Sequence, residues 1–148
     1  MSISIRAPEA GDAAAWRELW AGYNRFYRAA VPDDVTASLW QKLLAGNGDI
    51  RALVAVRDGG LIGLAHYLFH PSSWSHAPSC YLEDLFVAKA ARGSDAGEKL
   101  IRATAAAAEA SGAGRLYWHT QEYNGAARSL YDTLAQRTSF VVYRKDID

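Results

Sequence analysis

The 148-residue sequence predicts a mixed α/β (α+β) domain, a central sheet with helices on its faces. Three observations carry this. Segments of helical spacing and segments of strand pattern follow one another in the order β-α-α-β-β-β-α-β-α-β. Glycine and proline clusters punctuate them. Half of the residues are hydrophobic and 22% are charged, which suits one domain over 1–148 with a core of its own.

Ser2 to Arg6 alternates polar and apolar residues and stops at Pro8. Asp12 is placed to cap a helix in which Trp16, Leu19, Trp20, Tyr23, Phe26 and Tyr27 recur on one face. That stripe reads mainly as core. Pro32-Asp33-Asp34 ends it, and a second helix runs from about Val35 to Leu44. Ile50 to Arg57 and Leu61 to Phe69 flank Asp58-Gly59-Gly60, a hairpin signal. A polar loop with Pro71, Trp74 and Pro78 leads to a strand from Cys80 to Val87. A turn from Ala88 to Ala96 opens a helix from about Gly97 to Ala110, stopped by Ser111-Gly112. Arg115 to His119 reads as a strand, Asn124 to Ala135 as a helix, and Ser139 to Arg144 as a last strand.

Sixteen basic and sixteen acidic side chains cancel, which argues against a nucleic-acid partner. The single cysteine, Cys80, lies in an apolar run and reads as a small buried hydrophobe. Four histidines show no spacing that converges three or four ligands, so no metal is expected. His66 and His70 share a strand face, and His119, at a strand end, is a second candidate for a base. No stretch approaches the roughly 20 apolar residues that span a bilayer. The expectation is a soluble, cytoplasmic protein without a membrane partner.

The region from Tyr81 to Tyr131 carries the chemistry. A strand, Tyr81-Leu82-Glu83-Asp84-Leu85-Phe86-Val87, runs into Arg92-Gly93-Ser94-Asp95-Ala96-Gly97-Glu98 and then a helix. Such a turn aims backbone N–H groups and the positive helix end at one point, which suits phosphate. The arrangement Arg92-Gly93-x-x-x-Gly97 resembles the acetyl-CoA motif of the GNAT N-acetyltransferases, Arg/Gln-x-x-Gly-x-Gly/Ala. Asn124-x-x-Ala127-x-x-Leu130-Tyr131 matches that family's later helix. The strand itself, with Tyr117-Trp118-His119-Thr120-Gln121-Glu122 and Leu130-Tyr131-Asp132, looks like diamine (polyamine) acetyltransferases and small histone-tail relatives. Asp95 stands where the pattern has glycine; it either caps the helix in competition with phosphate or points into solvent. Ser139 replaces a second customary glycine.

The resemblance implies a GNAT-type, mostly antiparallel central sheet flanked by helices, acetyl-CoA as acyl donor, and a small primary amine as acceptor. Protein or amino-acid N-acetylation is the alternative activity, and a non-catalytic acyl-CoA-binding domain the alternative class. A homodimer is also implied. Backbone groups of Leu85, Phe86 and Val87 would pair with the pantetheine arm. Arg92, Gly93, Ser94, Asp95, Ala96, Gly97 and Glu98 would hold pyrophosphate, with Asn124 and Ala127 contributing from the later helix; Asn124 is also a helix N-cap candidate.

An amine of lysine-like pKa is neutral in about one molecule in 2,500 at pH 7, equivalent to roughly 4.6 kcal/mol, so the site must deal with that proton. By resemblance Glu83 is the amine ligand and base, directly or through water, and Tyr131 the acid for the leaving thiolate. Adjacent strand residues face opposite sides, so one of Glu83 and Asp84 is expected at the acceptor. Tyr27 is a third acceptor candidate, through cation–π contact.

Overall fold

The computed structural model describes residues 2–147. A five-stranded sheet runs in the order β1 (Ser4–Arg6), β2 (Arg51–Arg57), β3 (Gly60–Ser72), β4 (Ser75–Val87) and β5 (Arg115–Trp118). Every pairing is antiparallel except β4 with β5. The helices α1 (Ala13–Phe26), α2 (Asp33–Ala45), α3 (Ala96–Ala110) and α4 (Gly125–Leu134) complete the fold.

The apolar periodicities explain which face each helix covers. Trp16, Leu19 and Trp20 of α1 join Leu43 of α2 against Ala52 and Leu64 of the sheet. On the opposite face Leu100 and Ile101 of α3 meet Ala55, Ala65 and Leu82, with Leu130, Tyr131 and Leu134 of α4 packed at the margin. Cys80 is sealed with Tyr67 and Ala108 in a third cluster. Two glycines permit close approach. A Cβ on Gly22 would sit 3.1 Å from the Phe86 ring, and one on Gly63 would sit 3.0 Å from the Phe86 carbonyl oxygen.

Several expectations change. The loop with Pro71, Trp74 and Pro78 is instead the far end of a long hairpin, because β3 reaches Ser72 and β4 begins at Ser75. Asp12 does not cap α1 with its side chain. It accepts two hydrogen bonds from Arg6, at 2.7 and 3.1 Å, and one from the Glu9 N–H. An ion pair outbids the helix end for that carboxylate. The last strand, Ser139 to Arg144, is not formed: residues 135–147 follow α4 without regular structure. A strand needs a neighbour to bond, and among the described residues no segment pairs with this one.

Candidate functional site

β4 is the axis of the site, and a bulge sets its geometry. His66 pairs with Asp84, but the next residue, Tyr67, pairs with Leu82, so Glu83 is the extra residue. The side-chain alternation therefore reverses there. Cys80 and Leu82 face α3, whereas beyond the bulge Leu85 and Val87 take that side and Phe86 faces α1. The signal is visible in the sequence, where the inward apolar positions change from even to odd between Leu82 and Leu85. The expectation that Glu83 and Asp84 face opposite sides is corrected, because it assumes unbroken alternation. The bulge brings both carboxylates to one neighbourhood: each bears on Tyr23 and on Tyr81, and the Asp84 charge acts on Glu83.

β5 pairs with β4 only from Ser79↔Arg115 to Leu82↔Trp118. From Glu83 to Val87 that edge of β4 is free of β5, while the other edge stays bonded to β3 through Ala65↔Leu85, Leu64↔Phe86 and Gly63↔Val87. The strands splay at the bulge. An extended ligand arm fits such a gap as an added strand.

Past Val87 the chain makes a single 3-10 turn, Lys89–Ala91, and then the phosphate-type turn. Gly93 has φ +88°, and an added Cβ would meet nothing within 4 Å, so the turn is left-handed and open. The Ser94 hydroxyl donates to the Ala91 carbonyl at 2.6 Å and accepts from the Ala96 N–H at 3.4 Å. Asp95, at the N-cap position of α3, makes no capping bond with its side chain. Of the two readings of Asp95, the solvent one holds: its carboxylate is exposed and 3.8 Å from Lys99. The first-turn N–H groups around Gly97 and Glu98 are left for a ligand. These features fit a pyrophosphate. Arg92 rims the turn, bonded to the Val87 carbonyl at 3.3 Å, with its guanidinium over the Phe26 and Phe86 rings.

Tyr131 comes in from α4. Its ring lies edge-on to Trp118, centroids 5.5 Å apart, and burial pushes its phenol up to about 12, with Tyr27 adding to the effect. Tyrosines from the two helical layers thus approach each other near the splay. Tyr27 and Tyr23, 4.8 Å apart by centroid, are both raised by burial and by Asp84. Burial and the neighbouring Asp84 also raise Glu83, while His66 opposes the shift. Asn124 occupies the N-cap position of α4 without capping it. Its amide instead donates to the Thr120 hydroxyl at 3.3 Å, which corrects the capping expectation. Ala127 lies half-buried one turn before Tyr131.

Three features were not anticipated. His66 is fully buried between Trp16 and Asp84. Tyr81 stacks on Tyr117 at 4.9 Å, and Tyr117 bonds His70 at 2.7 Å while Tyr81 bonds His119 at 3.1 Å. The hydrogen-bonded partners lie 47 and 38 residues apart, beyond the reach of local pattern. The third is a cleft of about 1410 Å³ along the open side of β5, bordered by Tyr117, Tyr131 and residues 135–142. It touches the candidate site at Tyr131 and lies apart from the phosphate-type turn. Among the described residues no group of three or more His, Cys, Asp or Glu is placed to hold a metal, and no helix is long and apolar enough to cross a membrane.

The sequence pattern of the "Acetyltransferase (GNAT) family" matches residues 14–135. The chain is 32% identical over 146 residues to the D-amino-acid N-acetyltransferase HPA3 of Saccharomyces cerevisiae, covering 97% of this chain and 91% of the relative. It is 35% identical over 143 residues to the uncharacterized N-acetyltransferase YhfO of Bacillus subtilis, covering 95% of each. The fold superposes with a TM-score of 0.81 on AAC(6')-Iy in complex with a bisubstrate analog, CoA-S-monomethyl-acetylneamine, at 20% identity over 99% of this chain and 100% of that one.

Proposed function

Because the chain belongs to the GNAT acetyltransferase family and is an acetyl-CoA-dependent N-acetyltransferase, we propose that its acceptor is a small primary amine, polyamine-like or lysine-like, bound beside Glu83 and Asp84. One observation carries this reading. The bulge in β4 gathers two carboxylates and the tyrosines Tyr23 and Tyr27 at the mouth of the β4–β5 splay. A cation gains both charge and aromatic faces there.

Acetyl-CoA supplies the thioester. The amides of Gly93 to Glu98, the Arg92 guanidinium and the half-turn at Asn124 and Ala127 would hold its phosphate end, and Leu85, Phe86 and Val87 its arm. Glu83 takes the amine's proton, directly or through water, as nitrogen attacks the carbonyl. Its raised pKa brings it nearer to working pH, which suits a base. Tyr131 keeps its proton at neutral pH and gives it to the departing sulfur.

A second reading, the amine of an amino acid, is favoured by the 32% identity to HPA3, itself named a D-amino-acid N-acetyltransferase. One panel separates the two. Thiol release from acetyl-CoA would be followed with putrescine, spermidine, L-lysine and several D- and L-amino acids. Turnover on the diamines and lysine supports the first reading. Turnover confined to amino acids without a second amine supports the second, and none at all overturns both.

We also propose a second copy of this chain as partner. Phe140, Val141, Val142 and Tyr143 are 66–92% exposed, an apolar strand-patterned run, and β5 presents an open edge. A tail from a second copy laid along that edge would satisfy both.

A further inference from the structure

We infer that Trp16 and His66 form a positioning pair that fixes the Asp84 carboxylate as the ligand of a cationic acceptor amine, an assignment that rests on the amine-acetylating reading above. The pair sits where polar groups are costly. Trp16 is 1% exposed and His66 is 0%, within a cluster otherwise built from Leu19, Trp20, Leu43 and Leu64. An apolar side chain at position 66 would fill that space without a hydrogen bond to satisfy. The polar pair instead ends on Asp84, whose side chain is 13% exposed.

The hydrogen bonds set the ring's tautomer. An indole N–H can only donate, so the Trp16 Nε1 bond of 3.1 Å makes His66 Nε2 an acceptor. The ring proton is then on Nδ1, 3.0 Å from Asp84 Oδ2. The imidazole gives that oxygen one fixed donor and holds the carboxylate in one rotamer. The rings of Trp16 and Trp20 flank His66, at centroid distances of 5.9 and 5.0 Å. Around Asp84 stand His66, Glu83, Tyr23, Tyr27 and Tyr81, with no lysine or arginine among the groups acting on them from β4 and α1. Among the described residues no lysine or arginine pairs with that carboxylate, whose one ion-pair partner is the His66 imidazole that the Trp16 bond holds neutral; the cation it fits is the substrate's. The adjacent acids divide the work: Asp84 holds the ammonium and Glu83 takes the proton.

The test compares His66→Leu with His66→Asn, whose amide N–H falls near the place of Nδ1. Loss of one charge-assisted hydrogen bond on the amine's ligand should raise the KM for the amine about tenfold or more in His66→Leu. The KM for acetyl-CoA should hold within about twofold, since the cofactor arm is untouched, and His66→Asn should recover most of the loss. Long-range proton–nitrogen spectra of the wild-type imidazoles should show His66 protonated at Nδ1 alone, a readout independent of how the Leu variant folds. A His66 proton on Nε2, or equal amine KM in all three proteins, overturns the inference while leaving acetylation intact. Wild-type protein that acetylates no amine in the panel removes the functional reading, and the role of Asp84 with it.

Discussion

Tyr131 and Glu83 are the residues whose loss should be felt in the chemistry itself. Tyr131→Phe keeps the ring against Trp118 and removes only the hydroxyl. Turnover should fall by about 10²–10⁴, the usual worth of a positioned acid, with acetyl-CoA affinity by calorimetry nearly unchanged. Glu83→Gln tests the base by pH. A carboxyl whose pKa is raised in the folded enzyme is protonated, and idle as a base, below that pKa. The wild-type kcat/KM for the amine should therefore rise with pH on a limb displaced upward from an ordinary glutamate's. Glu83→Gln should lose that limb and about 10²-fold in rate, measured across pH 5–9. Both candidates come from short local patterns in the sequence. Their environment does not. Trp16 and His66 lie 50 residues apart, and a single sequence carries no record of which distant side chains meet.

Among the elements, helices were read well because their stripes repeat over several turns; α3 begins at Ala96 where Gly97 was expected. Strand ends were read short. Pro71, Trp74 and Pro78 look like loop punctuation, yet the end of a two-strand hairpin tolerates proline at edge positions. The bulge at Glu83 escaped because strict alternation was assumed through it. How tightly β3 and β4 pack just beyond the bulge is testable at Gly63. In Gly63→Ala the new methyl would lie 3.0 Å from a backbone oxygen and 3.1 Å from Leu100 Cδ1. The backbone atom cannot yield as a flexible side chain would. Thermal or urea unfolding should show a loss of about 1–3 kcal/mol.

Over the whole chain, the misread final strand is the informative case. Its alternation of apolar residues is a true strand signal, but pairing is a property of what lies alongside, and among the described residues the fold gives it no neighbour. With Phe140→Asp and Val142→Asp together, light scattering should change from twice the 16.1 kDa of one chain to a single chain. A wild-type mass of one chain would remove the proposed pairing. The position of Cys80 reaches across the same scale. It is the chain's sole thiol and is 0% exposed, and burial pushes its pKa up to about 11. A colorimetric sulfhydryl reagent added to the folded enzyme should therefore count released coenzyme and almost nothing else. Left without substrate, the same reagent becomes a stopwatch, since each slow tick of colour records one molecule that opened far enough to let it in.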